Sequence, residues 1–187
     1  MGRKVRDGDS VRYNFLVKEI TAMKLNLGCG DKKRDGYVNV DLFGEPDMRL
    51  DLSVFPWPFD DNSADEVSAS HFLEHVQDYE KTILEIHRIL KPGGILHFQV
   101  PHFRNPCAQW HLHLWPFSVY SCHLLCCRVP YQWGGVQLFE QTSMRINYIF
   151  IRKSIGKPLA FFANIYPLAW DWLGLPIDEI EFYGRKL

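Results

Sequence analysis

Residues 25–42 read LNLGCGDKKRDGYVNVDL. An apolar run enters two glycines separated by one residue, and a second apolar run closes on an acid, Asp41. A strand, a glycine turn and a second strand ending in a carboxylate outline a turn that cradles a nucleotide. In the dinucleotide fingerprint the acid lies about 20 residues beyond the glycines. Here only eleven positions separate Gly30 from Asp41, which leaves barely room for the usual helix.

Outward from this stretch, short apolar segments alternate with loops. MKLNL (23–27) and YVNVDL (37–42) read as strands, and MRLDL (48–52) as a third. The turn-rich PWPFDDNSAD precedes a fourth strand, EVSAS. DYEKTILEIHRIL places Tyr79, Ile83, Ile86 and Leu90 on one helical stripe with Asp78 as N-cap, and KPGG is expected to stop that helix. ILHFQV is the fifth strand, RINYIFIRK a later one, KPLAFFANIYPLAWDWLGL a broken helix and EIEFYGRKL the last strand. This order predicts an α/β fold of one Rossmann-like domain: a mainly parallel sheet with helices on both faces, shortened first crossovers and an antiparallel edge. Residues 1–22 form an N-terminal extension whose structure the pattern does not decide, and 23–187 form the domain. Within it, about 103–143 is an insertion rich in aromatics, Cys and His.

The chain has 187 residues, the size of one domain with a substantial core. A formal net charge of −1 gives no global reason to expect nucleic acid. The N-terminus lacks the apolar run of a secretory signal, and five cysteines is an odd count, so reduced thiols in a cytoplasmic protein are expected. The apolar stretch from Ile155 to Ile177 is interrupted by Pro158, Asn164, Pro167, Asp171 and Pro176, which argues against a transmembrane segment.

In an open parallel sheet, ligands bind beyond the carboxyl ends of the strands. Gly28-Cys29-Gly30 lies there and lets backbone approach a ligand closely. Asp41 ends the second strand, where a carboxylate accepts from both hydroxyls of a ribose, and Asp51 ends the third, facing an exocyclic amine or a ribose edge. Together they describe an adenosine pocket. A pyrophosphate wants backbone N–H groups at a helix start, whereas the segment after Gly30 is short and opens with Asp31, which would repel phosphate. A ligand with a sulfonium and an amino-acid end suits the turn better.

These residues resemble the class I S-adenosylmethionine-dependent methyltransferases. LNLGCGD is similar to their glycine motif, NVDL to their ribose-binding acid, PWPFDDNSADEVSASHFLEHV to the loop and fourth strand of small-molecule members, and LEIHRILKPGGILHFQVP to the next helix, turn and strand. The likeness runs from about Lys24 to Phe103 and extends to a compact subgroup with shortened connections after strands one and two. It implies S-adenosyl-L-methionine as cofactor and S-adenosyl-L-homocysteine as product. Gly28, Cys29 and Gly30 would line the methionine end, Asp41 and Leu42 the ribose, Asp51 and Leu52 the adenine, and Ser70 and His71 the sulfonium side.

Methyl transfer from a sulfonium needs donor and acceptor held in line, and a base only where the acceptor must lose a proton. His102, just after the fifth strand, is the first candidate base or acceptor-positioning residue, and His113 the second. The compact subgroup carries Asp-Pro-Thr-His hereabouts; this chain has Trp110-His111-Leu112-His113, retaining the histidine but not the acid. Glu74 and His75 read as a structural pair. Cys107, His111, His113, Cys122, His123, Cys126 and Cys127 offer enough donors for zinc. No CxxC pair recurs, however, and adjacent Cys126-Cys127 suits one metal poorly, so buried thiols and no metal are expected. The aromatics, among them Tyr131, Trp133, Phe161 and Trp172, read chiefly as core extension, with a lid over the acceptor as the functional alternative. The reading is methyl transfer to a small-molecule or glycan-type acceptor. A non-catalytic S-adenosylmethionine-binding module and an RNA or protein methyltransferase are the alternatives.

Overall fold

The computed structural model describes residues 3–7, 10–14, 22–128, 136–148 and 153–187. Tyr131 and Trp133 lie outside the described residues. Two strands, β1 (Arg3–Asp7) and β2 (Ser10–Asn14), pair antiparallel in a sheet of their own. The remaining strands are β3 (Lys24–Leu27), β4 (Val38–Asp41), β5 (Met48–Arg49), β6 (Ala64–Ser70), β7 (Leu90–Pro101), β8 (Phe139–Asn147) and β9 (Glu179–Lys186). They form one seven-stranded sheet in the order β5-β4-β3-β6-β7-β9-β8. β5 to β7 are parallel, and β9 runs antiparallel between β7 and β8, giving the mainly parallel sheet and antiparallel edge expected from the sequence.

Because strand side chains alternate, the register sorts the two faces by chemistry. One row carries Ala69, Phe98, Phe182 and Met144 from β6 to β8, and Leu25, Val67 and Leu96 align beside it. These residues join a single apolar core. Helix α1 (Tyr79–Ile89) closes on that core through Ile83, Ile86 and Ile89, all fully buried, each burial contributing ~1.5–3 kcal/mol. Asp78 caps its first turn, accepting from the Lys81 amide at 3.0 Å. Arg88 and Glu85 on α1 tie down the turn-rich tract: Arg88 reaches the Trp57 and Phe59 carbonyls, and Glu85 accepts the Trp57 amide at 2.6 Å.

The other face is polar. Asn39, Asn26, Ser68, His97, Tyr183 and Ser143 follow one another across six strands. Neither of the first two crossovers holds a helix, so over β3, β4 and β6 this face is covered by the loop 28–37 instead. Arg34 from that loop bonds Ser68 Oγ and meets His97 Nδ1 at 3.3 Å, while the Asn26 amide donates to Asn39 Oδ1 at 2.9 Å. A polar face needs partners of this kind, since a buried polar group without one costs more than the bond contributes.

Three boundaries differ from the sequence reading. β5 is only two residues long, so Asp51 sits in the following turn, where Ser53 bonds it locally. The helix α1 ends at Ile89 with Leu90 already extended, and KPGG forms an irregularity inside β7, where Gly93 takes φ +79°. β8 begins at Phe139, six residues before the expected RINYIFIRK, because edge-strand residues alternate too weakly to announce themselves. The broken helix is present as α3 (Lys153–Ile165) and α4 (Pro167–Trp172), divided at Tyr166 by Pro167. A short α2 (Val119–Leu124) precedes them. Among the described residues, no helix is long and apolar enough to cross a membrane.

Candidate functional site

At the carboxyl end of β3 the chain turns sharply at Gly28, whose amide donates to Val40 O at 2.9 Å and whose φ is +63°. A Cβ here would collide with the Phe72 ring, so glycine is required twice over, by conformation and by space. Gly30 also takes a positive φ, and its amide donates to Asp41 Oδ2 at 2.8 Å. The other carboxylate oxygen of Asp41 accepts from the Phe43 amide at 2.9 Å. Asp51 is fixed through Oδ1 by the Ser53 amide and hydroxyl at 2.9 and 2.6 Å. Those bonds hold its carboxyl below the usual range, so it is ionised at neutral pH.

A cleft of about 770 Å³ lies beyond the strand ends, and Gly28, Asp41, Leu42, Asp51, Leu52 and His71 all line it. Phe43, Phe55 and Phe72 supply apolar walls. Cys29, Gly30 and Ser70 open into a second cleft of about 600 Å³ together with Arg34, His97 and Gln99. Gly28 and His71 line both clefts and mark where the two adjoin. The nine sequence-predicted cofactor residues therefore lie along two neighbouring clefts rather than one.

His71, with φ +52°, leaves β6 in a conformation unusual for a residue with a side chain. Its amide donates to Gln99 O at 2.8 Å, and its ring lies between two acids, with Nε2 3.0 Å from Glu179 and Nδ1 3.3 Å from Glu74. The Glu179 and Glu74 contacts outweigh burial and raise its pKa to about 9, so His71 is a cation at neutral pH. The family resemblance implied a place for it on the sulfonium side of the ligand. Ser70 Oγ donates to Gln99 Oε1 at 2.9 Å.

His102 is fully buried and lines neither cleft. The Arg104 amide donates to Nδ1 at 3.2 Å, which leaves the proton on Nε2, directed at Asp171 Oδ1 at 3.2 Å. Asp171, on α4, also accepts from the Val119 amide and from Arg104 Nη1. Burial lowers the His102 pKa, consistent with a neutral ring that ties the end of β7 to α2 and α4. His113 stands elsewhere, beside Glu74 and His75 at the end of β6. Glu74, Phe72 and Glu179 were not singled out as site residues by the sequence. Glu179 carries no local signal, since only the register of β9 brings it to His71. Of the cysteines set beside zinc, Cys122 is buried among apolar residues, where desolvation raises its thiol pKa.

Residues 48–98 match the family model described as Methyltransferase domain. Over 70 residues the chain is 39% identical to a demethylmenaquinone methyltransferase from Staphylococcus epidermidis, covering 37% of this chain and 26% of that protein. It is 28% identical over 129 residues to a 2-phytyl-1,4-naphtoquinone methyltransferase from Nostoc punctiforme, covering 67% of this chain and 54% of the relative. The chain thus spans between about a quarter and about half the length of these curated relatives. Among solved structures, a SAM-dependent methyltransferase from Archaeoglobus fulgidus superposes with a TM-score of 0.57 at 14% identity, covering 88% of this chain and 86% of that one. Strand order and superposition show the fold of the class I S-adenosylmethionine-dependent methyltransferases, and residues 48–98 are similar to their methyltransferase domain. The superposed Archaeoglobus fulgidus protein is named as SAM-dependent.

Proposed function

We propose that the chain transfers the methyl group of S-adenosyl-L-methionine to a small-molecule acceptor. The observation that carries this reading is the shared cleft: Asp41 and Asp51 edge the same space, floored by Gly28 and adjoining a second cleft at His71. In this reading Asp41 and Asp51 take the ribose and adenine side, with Phe43 and Phe55 beside the base. The methionine end passes Gly28 into the second cleft, where the His71 cation meets its carboxylate. The aromatic and apolar lining supports a compact organic acceptor, as does similarity to proteins named as quinone methyltransferases.

The chemistry asked of the protein is alignment. A sulfonium is already a good leaving group, so holding the acceptor atom in line with the S–CH₃ bond supplies most of the acceleration. His102 takes no part in this proposal beyond holding the cover over β7, because both its nitrogens are engaged away from the clefts. Calorimetry with S-adenosylmethionine and S-adenosylhomocysteine tests the donor site, and a screen of hydroxylated aromatic acceptors for methylated product tests the reaction. Failure to bind either nucleoside would end the reading; binding without any transfer would favour a non-catalytic module.

A further inference from the structure

Just beyond the cofactor cleft, three side chains with metal-binding donors meet: Glu74, His75 and His113, one ligand atom of each within 4.8 Å of the others. Glu74 is fully buried, and its Oε2 has no hydrogen-bond partner among the described residues. His113 Nδ1 is likewise buried and unpartnered. Two orphaned buried atoms, one an anionic oxygen and one an imidazole nitrogen, are costly unless something absent from the protein satisfies them. No hydrogen bond joins these two atoms in the structure, and one metal ion between them would satisfy both.

The surroundings prepare the same donors. His75 Nδ1 lies 3.1 Å from Leu112 O, which fixes the proton there and leaves Nε2 with a free lone pair. A metal-ligating histidine is held in this way by a backbone carbonyl. Glu74 Oε1 is occupied by His71 at 3.3 Å, which orients the carboxylate and leaves the other oxygen for a ligand. The segment carrying His113 is pinned to the Glu74 segment by Leu114 N to Glu74 O at 2.7 Å and Trp115 Nε1 to Val76 O at 2.6 Å. The rings of His75 and His113 have centroids 4.7 Å apart at 75°. Donors about 2 Å from a tetrahedral zinc stand roughly 3.3 Å apart, so the trio closes by small side-chain rotations.

We propose that Glu74, His75 and His113 form a zinc site. Two imidazoles and one carboxylate are the ligand set of zinc centres that keep a fourth position open. His75 lines the same cleft as Asp41 and Asp51, so the site adjoins that cleft. Resting on the methyl-transfer reading, the site takes an acceptor oxygen, a phenol or other hydroxyl, whose bound form loses its proton to water. The oxygen lone pair then forms the O–CH₃ bond as the S–CH₃ bond breaks, its electron pair returning to sulfur.

The test uses the full chain, stripped with a chelator and titrated with Zn²⁺ against a chromophoric competitor, with Co²⁺ as a spectroscopic probe. One equivalent of zinc and the intense visible bands of four-coordinate cobalt are expected. Glu74→Gln and His113→Ala should each weaken zinc by at least ~100-fold, since loss even of an outer-shell partner costs 10- to 100-fold. His111→Ala, an exposed neighbour, should leave affinity unchanged. Circular dichroism checks folding; if buried Glu74→Gln unfolds, the half-buried His75→Ala and His113→Ala carry the comparison. No zinc bound, or zinc bound equally by wild type and the histidine variants, overturns the site. S-adenosylmethionine titrated into the metal-free chain separates the two readings: zinc without nucleoside binding leaves the metal site standing and removes the methyl donor.

Discussion

The Asp41 carboxylate accepts the Gly30 amide at 2.8 Å, so one side chain both edges the cleft beyond the strand ends and shapes the turn that floors it. On the proposed function, Asp41→Ala removes the ribose acceptor and releases the turn together. Calorimetry should show S-adenosylmethionine affinity reduced by at least ~10-fold, about 1.4 kcal/mol. Asp41→Asn keeps one acceptor oxygen and should fall between the two. Equal affinity in all three proteins would remove Asp41 from the cofactor site.

Gly28 and Phe72 are packed so closely that no side chain fits between them. Gly28→Ala should destabilise the fold by ~1–3 kcal/mol through strain and overlap. Truncating the ring in Gly28→Ala/Phe72→Ala should relieve the overlap but not the positive φ. Denaturant midpoints of the four proteins in the cycle give the coupling, and strict additivity would contradict the contact.

His102 joins three elements through Asp171. His102→Ala leaves that buried carboxylate short of a donor and should cost ~1–3 kcal/mol of stability. The S-adenosylmethionine dissociation constant should not move. A variant with wild-type stability and impaired methyl transfer would return His102 to the chemistry.

His87, half-buried against Phe139, carries a pKa lowered from 6.5 to about 4, by burial first and by Lys186 second. A group more easily protonated when unfolded favours unfolding once it titrates there. Its stability contribution is therefore complete above pH 6.5 and is lost as pH falls from 6.5 to about 4. Denaturation at a series of pH values should show this slope in the wild type and a shallower one in His87→Gln. Parallel profiles would show that His87 does not titrate in that window.

Local pattern made much of the molecule legible. Leu25, Val40, Val67 and Phe98 announce buried strands by apolar alternation, and Asp78 and the Ile83–Ile86 stripe announce α1. The tight turn at Gly28 was readable because a turn at a strand end admits few residue types. What escaped depends on distance along the chain. Glu179 reaches His71 only through the β9 register, and Asp171 claims His102 from a helix 69 positions away. His102 looked like a base because it ends a strand at the crevice; the backbone there turns it inward, beneath the C-terminal helices. The pairing of Glu74 with His75 as structural neighbours likewise missed His113, which comes from a separate loop. Spacing within a motif says which residues are near in sequence, and burial alone says which of their atoms still lack a partner.

The bare crossover between β3 and β4 has a kinetic implication. In its place stands a polar loop with exposed Gly30, Asp31 and Lys32 at the rim of the second cleft. A helix there would wall off that approach; without one, the proposed nucleoside product would leave by a solvent-facing door that needs no hinge to swing. On the proposed methyl-transfer function, exchange of product for fresh donor then needs no loop opening, and salt, which screens the loop's charges, is expected to change its rate.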